Sequence, residues 1–205
     1  MDFAPTSALP SPSVTQAVVP LAMPRRHRIT RVEYAKFAAQ DGPLRPRTEL
    51  IAGEIIDMTP QGHRHARAII RLNHLLVEAL ARRYEIRPQM PMGLRDDTEL
   101  EPDLCVTAFP EAVDTDHPAT ALLVIEVAVS FIDYDREVKL RLYASAQVAE
   151  YWIVDVAAQH IEVYCDPQGT TYASKRTWRA GEVIQSAAIA ELAVPVAQVF
   201  SARPG

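Results

Sequence analysis

The chain has 205 residues, 48% of them apolar, and a formal net charge of −5. That is enough to bury the core of one domain of moderate size. The mild acidity excludes a protein whose main business is coating nucleic acid without specificity, though not a local basic groove. No apolar run reaches the roughly 18 residues a membrane-spanning helix needs.

Residues 1–28 are rich in Pro, Ala, Ser, Thr and Val without any period and end in Pro24-Arg25-Arg26-His27-Arg28. This reads as a flexible leader ahead of one domain over 29–205. A signal peptide fits poorly, because the basic residues follow the apolar stretch. Thr30-Arg31-Val32-Glu33 has the form of a capping box and starts a helix over 31–40, which Asp41-Gly42-Pro43 stops. Glu49-Leu50-Ile51 and Glu54 to Met58 flank Ala52-Gly53, the pattern of a hairpin. From His63 to Arg83, Ile69, Leu72, Leu76, Ala79 and Leu80 recur at helical spacing, with Arg64, Arg67, Arg71 and His74 on the polar side.

Strand-like runs follow at 84–87, 91–95 and 103–109, with Asp96-Asp97 as a turn between the last two. The run 121–129 is apolar throughout except for Glu126, and a helix is expected over 134–146. Strands then follow at 151–155, at 160–165 and within 170–186, and Glu191 to Phe200 forms an apolar C-terminal segment. This order predicts a mixed α/β (α+β) domain with one central sheet flanked by helices. Cys105 and Cys165 both fall in strand-like runs and read as core thiols of a reducing cytoplasm, with a disulfide as the alternative. Their spacing offers no zinc partners.

Three residues stand out chemically. Glu126 is a carboxylate inside a nine-residue apolar run, where an anion must be paired, protonated or coordinated to a cation. It is either one half of a structural ion pair or a metal ligand at a strand end. Asp103, after Pro102 at the entry of a strand, is an ordinary strand boundary on its own. Beside Glu126 on a neighbouring strand it would form a carboxylate pair, which calls for a cation. Magnesium commonly uses one or two protein carboxylates together with water and phosphate oxygens. Lys139 edges the apolar stripe of Val138, Leu142 and Ala146. It either snorkels to solvent or reaches back to the two acids, where it would offset phosphate charge or orient water. Ser130 and Asp133 read as helix-capping groups, and Tyr143, Tyr151 and Trp152 as core.

The ordered set Glu49 to Glu54, His65, Pro102-Asp103, Val124 to Ser130, Asp135, Lys139, Tyr143 and Tyr151 to Asp155 closely resembles the Uma-two family. That family consists of bacterial restriction-endonuclease-like proteins of the PD-(D/E)XK superfamily, and the resemblance spans about 30–200. It implies a restriction endonuclease-like core in which Asp103 and Glu126 are the two superfamily acids. The lysine expected two residues after the second acid is replaced by Ala128. In this family its place is taken from the following helix, here by Lys139. By the same resemblance Glu54 completes the metal shell and His65 is a supporting residue; Gln61 lies close by in the loop, and Asp155, at a strand end, is either a supporting partner or merely a turn former. Arg64, Arg67 and Arg71 are either a solvated helix face or the phosphate-contacting surface.

The expected function is a metal-dependent endonuclease hydrolysing DNA phosphodiester bonds with Mg²⁺ or Mn²⁺, and DNA as partner. The alternative is a nucleic-acid-binding or protein-interaction module that keeps the fold without turnover, which Ala128 and the acidic charge favour. A carboxylate-pair glycosidase ranks lower, because the chain offers no rich aromatic platform for sugars. A homodimer is expected by analogy with enzymes that cut two strands.

Overall fold

A computed structural model describes residues 26–39, 47–80, 82–109, 116–130 and 132–201. Most of the expected leader and the expected helix stop at Asp41-Gly42-Pro43 lie outside them. Helix α1 (Arg31–Ala38) opens with the full capping box: the Glu33 amide donates to Thr30, whose own amide donates to Glu33. The hairpin follows as β1 (Thr48–Ile51) and β2 (Glu54–Asp57). Its turn residues Ala52 and Gly53 have φ of 49° and 78°. A two-residue turn with both centres left-handed matches the twist of the strands it joins. Any Cβ at Gly53 would lie 2.5 Å from the Cβ of Arg28.

The long amphipathic helix is α2 (His63–Leu80), which buries Ala68, Ile69, Leu72, Leu76 and Leu80. It is followed by β3 (Tyr84–Pro88), β4 (Met92–Arg95), β5 (Thr98–Leu100), β6 (Leu104–Ala108) and β7 (Leu123–Ala128). Next come a short α3 (Ile132–Tyr134), a π-helical turn over Asp135–Lys139 and α4 (Leu140–Ser145). The chain continues as β8 (Glu150–Asp155), β9 (His160–Gln168), β10 (Thr171–Arg179), β11 (Val183–Gln185), β12 (Ala193–Pro195) and α5 (Val196–Phe200).

The main sheet has the order β10-β9-β8-β7-β6-β3. Only β7 and β8 among its described pairs run parallel, and the helices α3 and α4 make that crossover. Parallel neighbours need such a crossover, whereas antiparallel ones close with turns. Strand alternation divides the core. Leu123, Ile125 and Val127 face the layer that holds Leu72 and Leu76 of α2 and Val199 of α5. Val124 and Ala128 face the opposite layer, with Tyr143, Tyr151, Tyr164 and Tyr172. Glu126 shares the parity of this second layer.

The main sheet is the central sheet expected from the sequence, but among the described residues smaller sheets accompany it. A separate four-stranded sheet has the order β2-β1-β5-β4. Its strand β5 is three residues long and squeezed between the Asp96-Asp97 turn and Pro102, too short to show a period. The turn therefore joins β4 to β5 and not to β6. Strands β11 and β12 form a further two-stranded pair. Cys105 and Cys165 are both free thiols, the first buried and the second partly so. No described helix is long and apolar enough to cross a membrane.

Candidate active site

Strand β6 pairs with β7 so that Leu104 lies opposite Ile125. One step further along, Asp103 comes level with Glu126. Asp103 is held at the mouth of the sheet by three groups. Its carbonyl accepts from the Gln89 amide at 3.2 Å, and its Oδ2 accepts from the Val127 amide at 2.8 Å. His65 Nε2, from the first turn of α2, sits 3.0 Å from the same Oδ2. Two buried acids on adjacent strands are thus fixed by backbone register and not by flexible side chains.

The helix after β7 supplies the counter-charge. Asp135, Lys139 and Tyr143 recur every four residues, so the π-helical turn and α4 present them along one face. Helices of this wound-out type are frequent at functional sites. Lys139 Nζ donates to Glu126 Oε1 at 2.9 Å and to Glu49 Oε1 at 3.2 Å. The Tyr143 hydroxyl donates to the same Glu126 oxygen at 2.6 Å. Lys139 does not snorkel: it is 3% exposed and Glu126 4%.

Glu49 comes from the second sheet. It is 1% exposed, and its Oε1 also accepts from the Glu101 amide at 3.0 Å. Its Oε2 is buried with no hydrogen-bond partner among the described residues. Glu54 is not brought to this cluster. It lies opposite Ile51, two residues or about 7 Å nearer the hairpin turn than Glu49. There it is exposed and paired with Arg26 at 3.2 Å. The early glutamate at the site is therefore Glu49.

Electrostatics follow from this crowding. Burial pushes the Glu126 carboxyl up, against the pull of Lys139 and with the help of Asp103 and Asp135. Burial likewise raises Asp135 to about 6, opposed by Lys139. Burial opposes charge on Lys139, but Glu126, Glu49 and Asp135 outweigh it and hold the ammonium well above its ordinary value. Burial and the nearby acids keep Tyr143 a phenol and hence a donor. One ammonium thus answers Glu126, Glu49 and Asp135, beside an Asp103 whose partners are His65 and a backbone amide. Such a surplus of negative charge favours either a proton or a further cation.

The hydrogen bonds to Asp103, Glu126 and Glu49 each fall on a single carboxylate oxygen. The donor set is entirely oxygen, as hard divalent cations require. Among the described residues no three or more His, Cys, Asp or Glu side chains are grouped so as to hold a metal ion by themselves. A magnesium-type ion needs no such group, since water and phosphate oxygens complete its shell. The residues present therefore fit such an ion through the two carboxylates Asp103 and Glu126, which both line the cavity.

A cavity of about 500 Å³ opens onto Asp103, Glu126, Asp135 and Lys139. Gln61 and His65 line it, as do Arg47 and Ser130, whereas Asp155 does not. Asp155 instead accepts from the Ala158 amide at 2.7 Å and closes the β8–β9 turn. Arg64 and Arg67 are exposed on α2. Arg71 is committed elsewhere, donating to the Phe200 carbonyl at 2.7 Å and closing the end of α5. Tyr143, assigned to the core on sequence, is core and site at once. Asp135 appeared in the family pattern without a role, and the four-residue row it shares with Lys139 was the available signal.

The solved structure of a protein from Anabaena variabilis ATCC 29413, described as "a putative nuclease belonging to DUF820", is similar in fold. The TM-score is 0.65 and the identity 18%, covering 84% of this chain and 97% of that one. The type IIG restriction endonuclease BpuSI is similar over 53% of this chain and 12% of its own, at 17% identity and a TM-score of 0.37, too slight to carry an argument. None of the curated proteins compared with the chain matches it. The family profile described as "Putative restriction endonuclease" matches residues 33–197. With four fifths of its length so matched, the chain belongs to the Uma2 family, the same family its ordered motifs resemble.

Proposed function

We propose that the chain is a metal-dependent deoxyribonuclease that hydrolyses phosphodiester bonds at the Asp103–Glu126–Lys139 pocket. The observation that carries this reading is the meeting of Asp103, Glu126 and Lys139, from a strand entry, a buried strand and the next helix, at one cavity. A purely structural ion cluster is the rival. Such clusters persist when every member is satisfied. Here one lysine is shared between the buried Glu126 and Glu49, and a buried Glu49 oxygen has no donor among the described residues, which supports a cation-binding role.

Asp103 and Glu126 would hold Mg²⁺ or Mn²⁺, while Glu49 binds Lys139 from the second sheet. A divalent ion, when bound, supplies Lewis acidity and charge neutralisation for phosphodiester hydrolysis. The chain's own groups do the positioning. His65 and the Val127 amide fix Asp103, and Tyr143 fixes Glu126. Lys139 keeps its proton and stands where it can offset phosphate charge or orient water. Lysine two residues after the second acid is thereby replaced in function by Lys139 from the helix, so Ala128 does not by itself remove turnover. The free thiols of Cys105 and Cys165 suit a reducing cytoplasm.

The test is cleavage of supercoiled plasmid and single-stranded DNA with Mg²⁺ or Mn²⁺ by wild type, Asp103→Asn and Glu126→Gln, each checked for folding by circular dichroism. Cleavage that needs metal and disappears in both folded variants is expected. No cleavage of any DNA, or equal cleavage by the variants, would overturn the reading and leave a binding module with this fold.

A further inference from the structure

Building on the nuclease reading, we infer that this pocket takes a strand not held in a duplex: single-stranded DNA or an unpaired arm, entering with its base and phosphate together. The first ground is depth. Of the groups that line the cavity, Asp103 is 6%, Glu126 4% and Lys139 3% exposed, which places them at its floor and not at a rim. A phosphodiester that reaches such a floor must bring its sugar and at least one base inside. A paired nucleotide can do this only by leaving the stack.

The second ground is the lining. The cavity of about 500 Å³ falls in the size range of sites that enclose a small ligand (roughly 300–1,000 Å³). The β2–α2 loop contributes Met58 and Pro60 to one wall, and Val129 and the Tyr134 ring come from the segment between β7 and the π-helical turn. Apolar and aromatic walls accept any base face without reading its sequence. Gln61 adds a hydrogen-bonding group at the same cavity.

The third ground is charge. Five acidic residues line the cavity (Asp57, Glu101, Asp103, Glu126 and Asp135), against the cations Arg47 and Lys139. Both cations are already paired, Arg47 with Glu101 at 2.9 Å and Lys139 with Glu126 at 2.9 Å and Glu49 at 3.2 Å. Duplex DNA presents one phosphate charge per roughly 1.7 Å of axis, and single strands are the less charge-dense polyanion. An acidic cavity on a net-acidic chain therefore disfavours the denser polyanion, the duplex, more than the single strand.

The experiment uses the full chain and three fluorescent DNAs of one sequence: a single strand, a blunt duplex and a duplex with splayed, unpaired arms. Cleavage is followed in Mn²⁺ and binding by anisotropy in Ca²⁺. The single strand should be cut at least ~10-fold faster than the blunt duplex, because extruding a paired nucleotide costs energy that a free strand does not spend. Cuts in the splayed substrate should map to its arms. Tyr134→Ala should raise KM for the single strand, and Tyr134→Phe should restore it. Equal or faster duplex cleavage, cuts within paired DNA, or a Tyr134→Ala enzyme with unchanged KM would overturn the inference and leave the nuclease intact. Failure to cut any of the three would overturn the nuclease reading and this inference with it.

Discussion

Replacing Lys139 by Met is the sharpest test of how the site is held together. Methionine keeps most of the stem's volume, so the change is electrostatic. It strips the only cation hydrogen-bonded to Glu126 and Glu49 among the described residues, at 2.9 and 3.2 Å, where both acids are at most 4% exposed. Removing one member of a buried pair typically costs about 3–5 kcal/mol, because the other charge is left without compensation. For a chain of this size that corresponds to a fall in Tm of roughly 6–20 °C. Glu126→Gln in the same chain removes the stranded charge, so the double variant should recover part of the loss. A double-mutant cycle by urea unfolding should then give a coupling of at least ~1 kcal/mol. Calcium should also raise the Tm of Lys139→Met more than that of the wild type, since an ion can take the lysine's place. A Tm within about 2 °C of wild type, or additive single effects, would show that Lys139 is not the counter-charge argued here.

Tyr143→Phe deletes the 2.6 Å donor to Glu126 while leaving the ring's packing, and should cost about 1.5–3 kcal/mol in urea unfolding, the range for hydrogen bonds to charged groups. Glu162 offers a pH test away from the site. Burial alone would raise its carboxyl, but hydrogen bonds from Arg136, Tyr164 and Lys175 outweigh it and hold it near about 2. A depressed carboxyl stabilises the fold fully above its ordinary value and loses that contribution as the pH falls towards 2. With Arg136 32% and Lys175 47% exposed, solvent screening reduces the contribution to ~1–2 kcal/mol. The stability gap between wild type and Glu162→Gln should therefore narrow from pH 5 to pH 3, and a constant gap would refute the account. If Arg64 and Arg67 contact phosphates, Arg64→Gln/Arg67→Gln should lower the salt dependence of single-strand binding by ~1.4 in slope, from about 0.7 per contact, measured by anisotropy in Ca²⁺. An unchanged slope would return both arginines to the solvated face of α2.

What could be read from the sequence and what could not divide along one physical line. Glu126 announced itself because a charge inside an apolar strand is an energetic anomaly that must have a cause. Lys139 gave a weaker form of the same signal, at the edge of a helix stripe. The capping box at Thr30 and the period of α2 were legible because both are local, set by spacings of three and four residues. Arg71 misled for the same reason: its place on the polar face of α2 is local, whereas its partner, the Phe200 carbonyl, lies 129 residues away.

The choice between Glu49 and Glu54 lay beyond any local rule. Both sit in a short hairpin with the same side-chain parity, and neither interrupts an apolar run. What separates them is the pairing of Leu50 with Glu99 on β5, a three-residue strand with no period of its own. That contact lays β1 beside the entry to β6 and brings Glu49 to the Glu101 amide and to Lys139, while Glu54 stays at the turn in solvent. A site assembled from two sheets thus reveals on sequence only the acids whose own strands are apolar. Glu49 is as deeply buried as Glu126, but its burial is imposed by a partner strand and not by its neighbours in the chain. The same logic makes Glu49→Gln informative: if the second sheet completes the site, this change should weaken Ca²⁺ binding, read as a smaller Ca²⁺-induced rise in Tm, while Glu54→Gln should leave that rise unchanged. An equal loss from both, or a loss from Glu54→Gln alone, would restore the hairpin turn as the source of the third carboxylate.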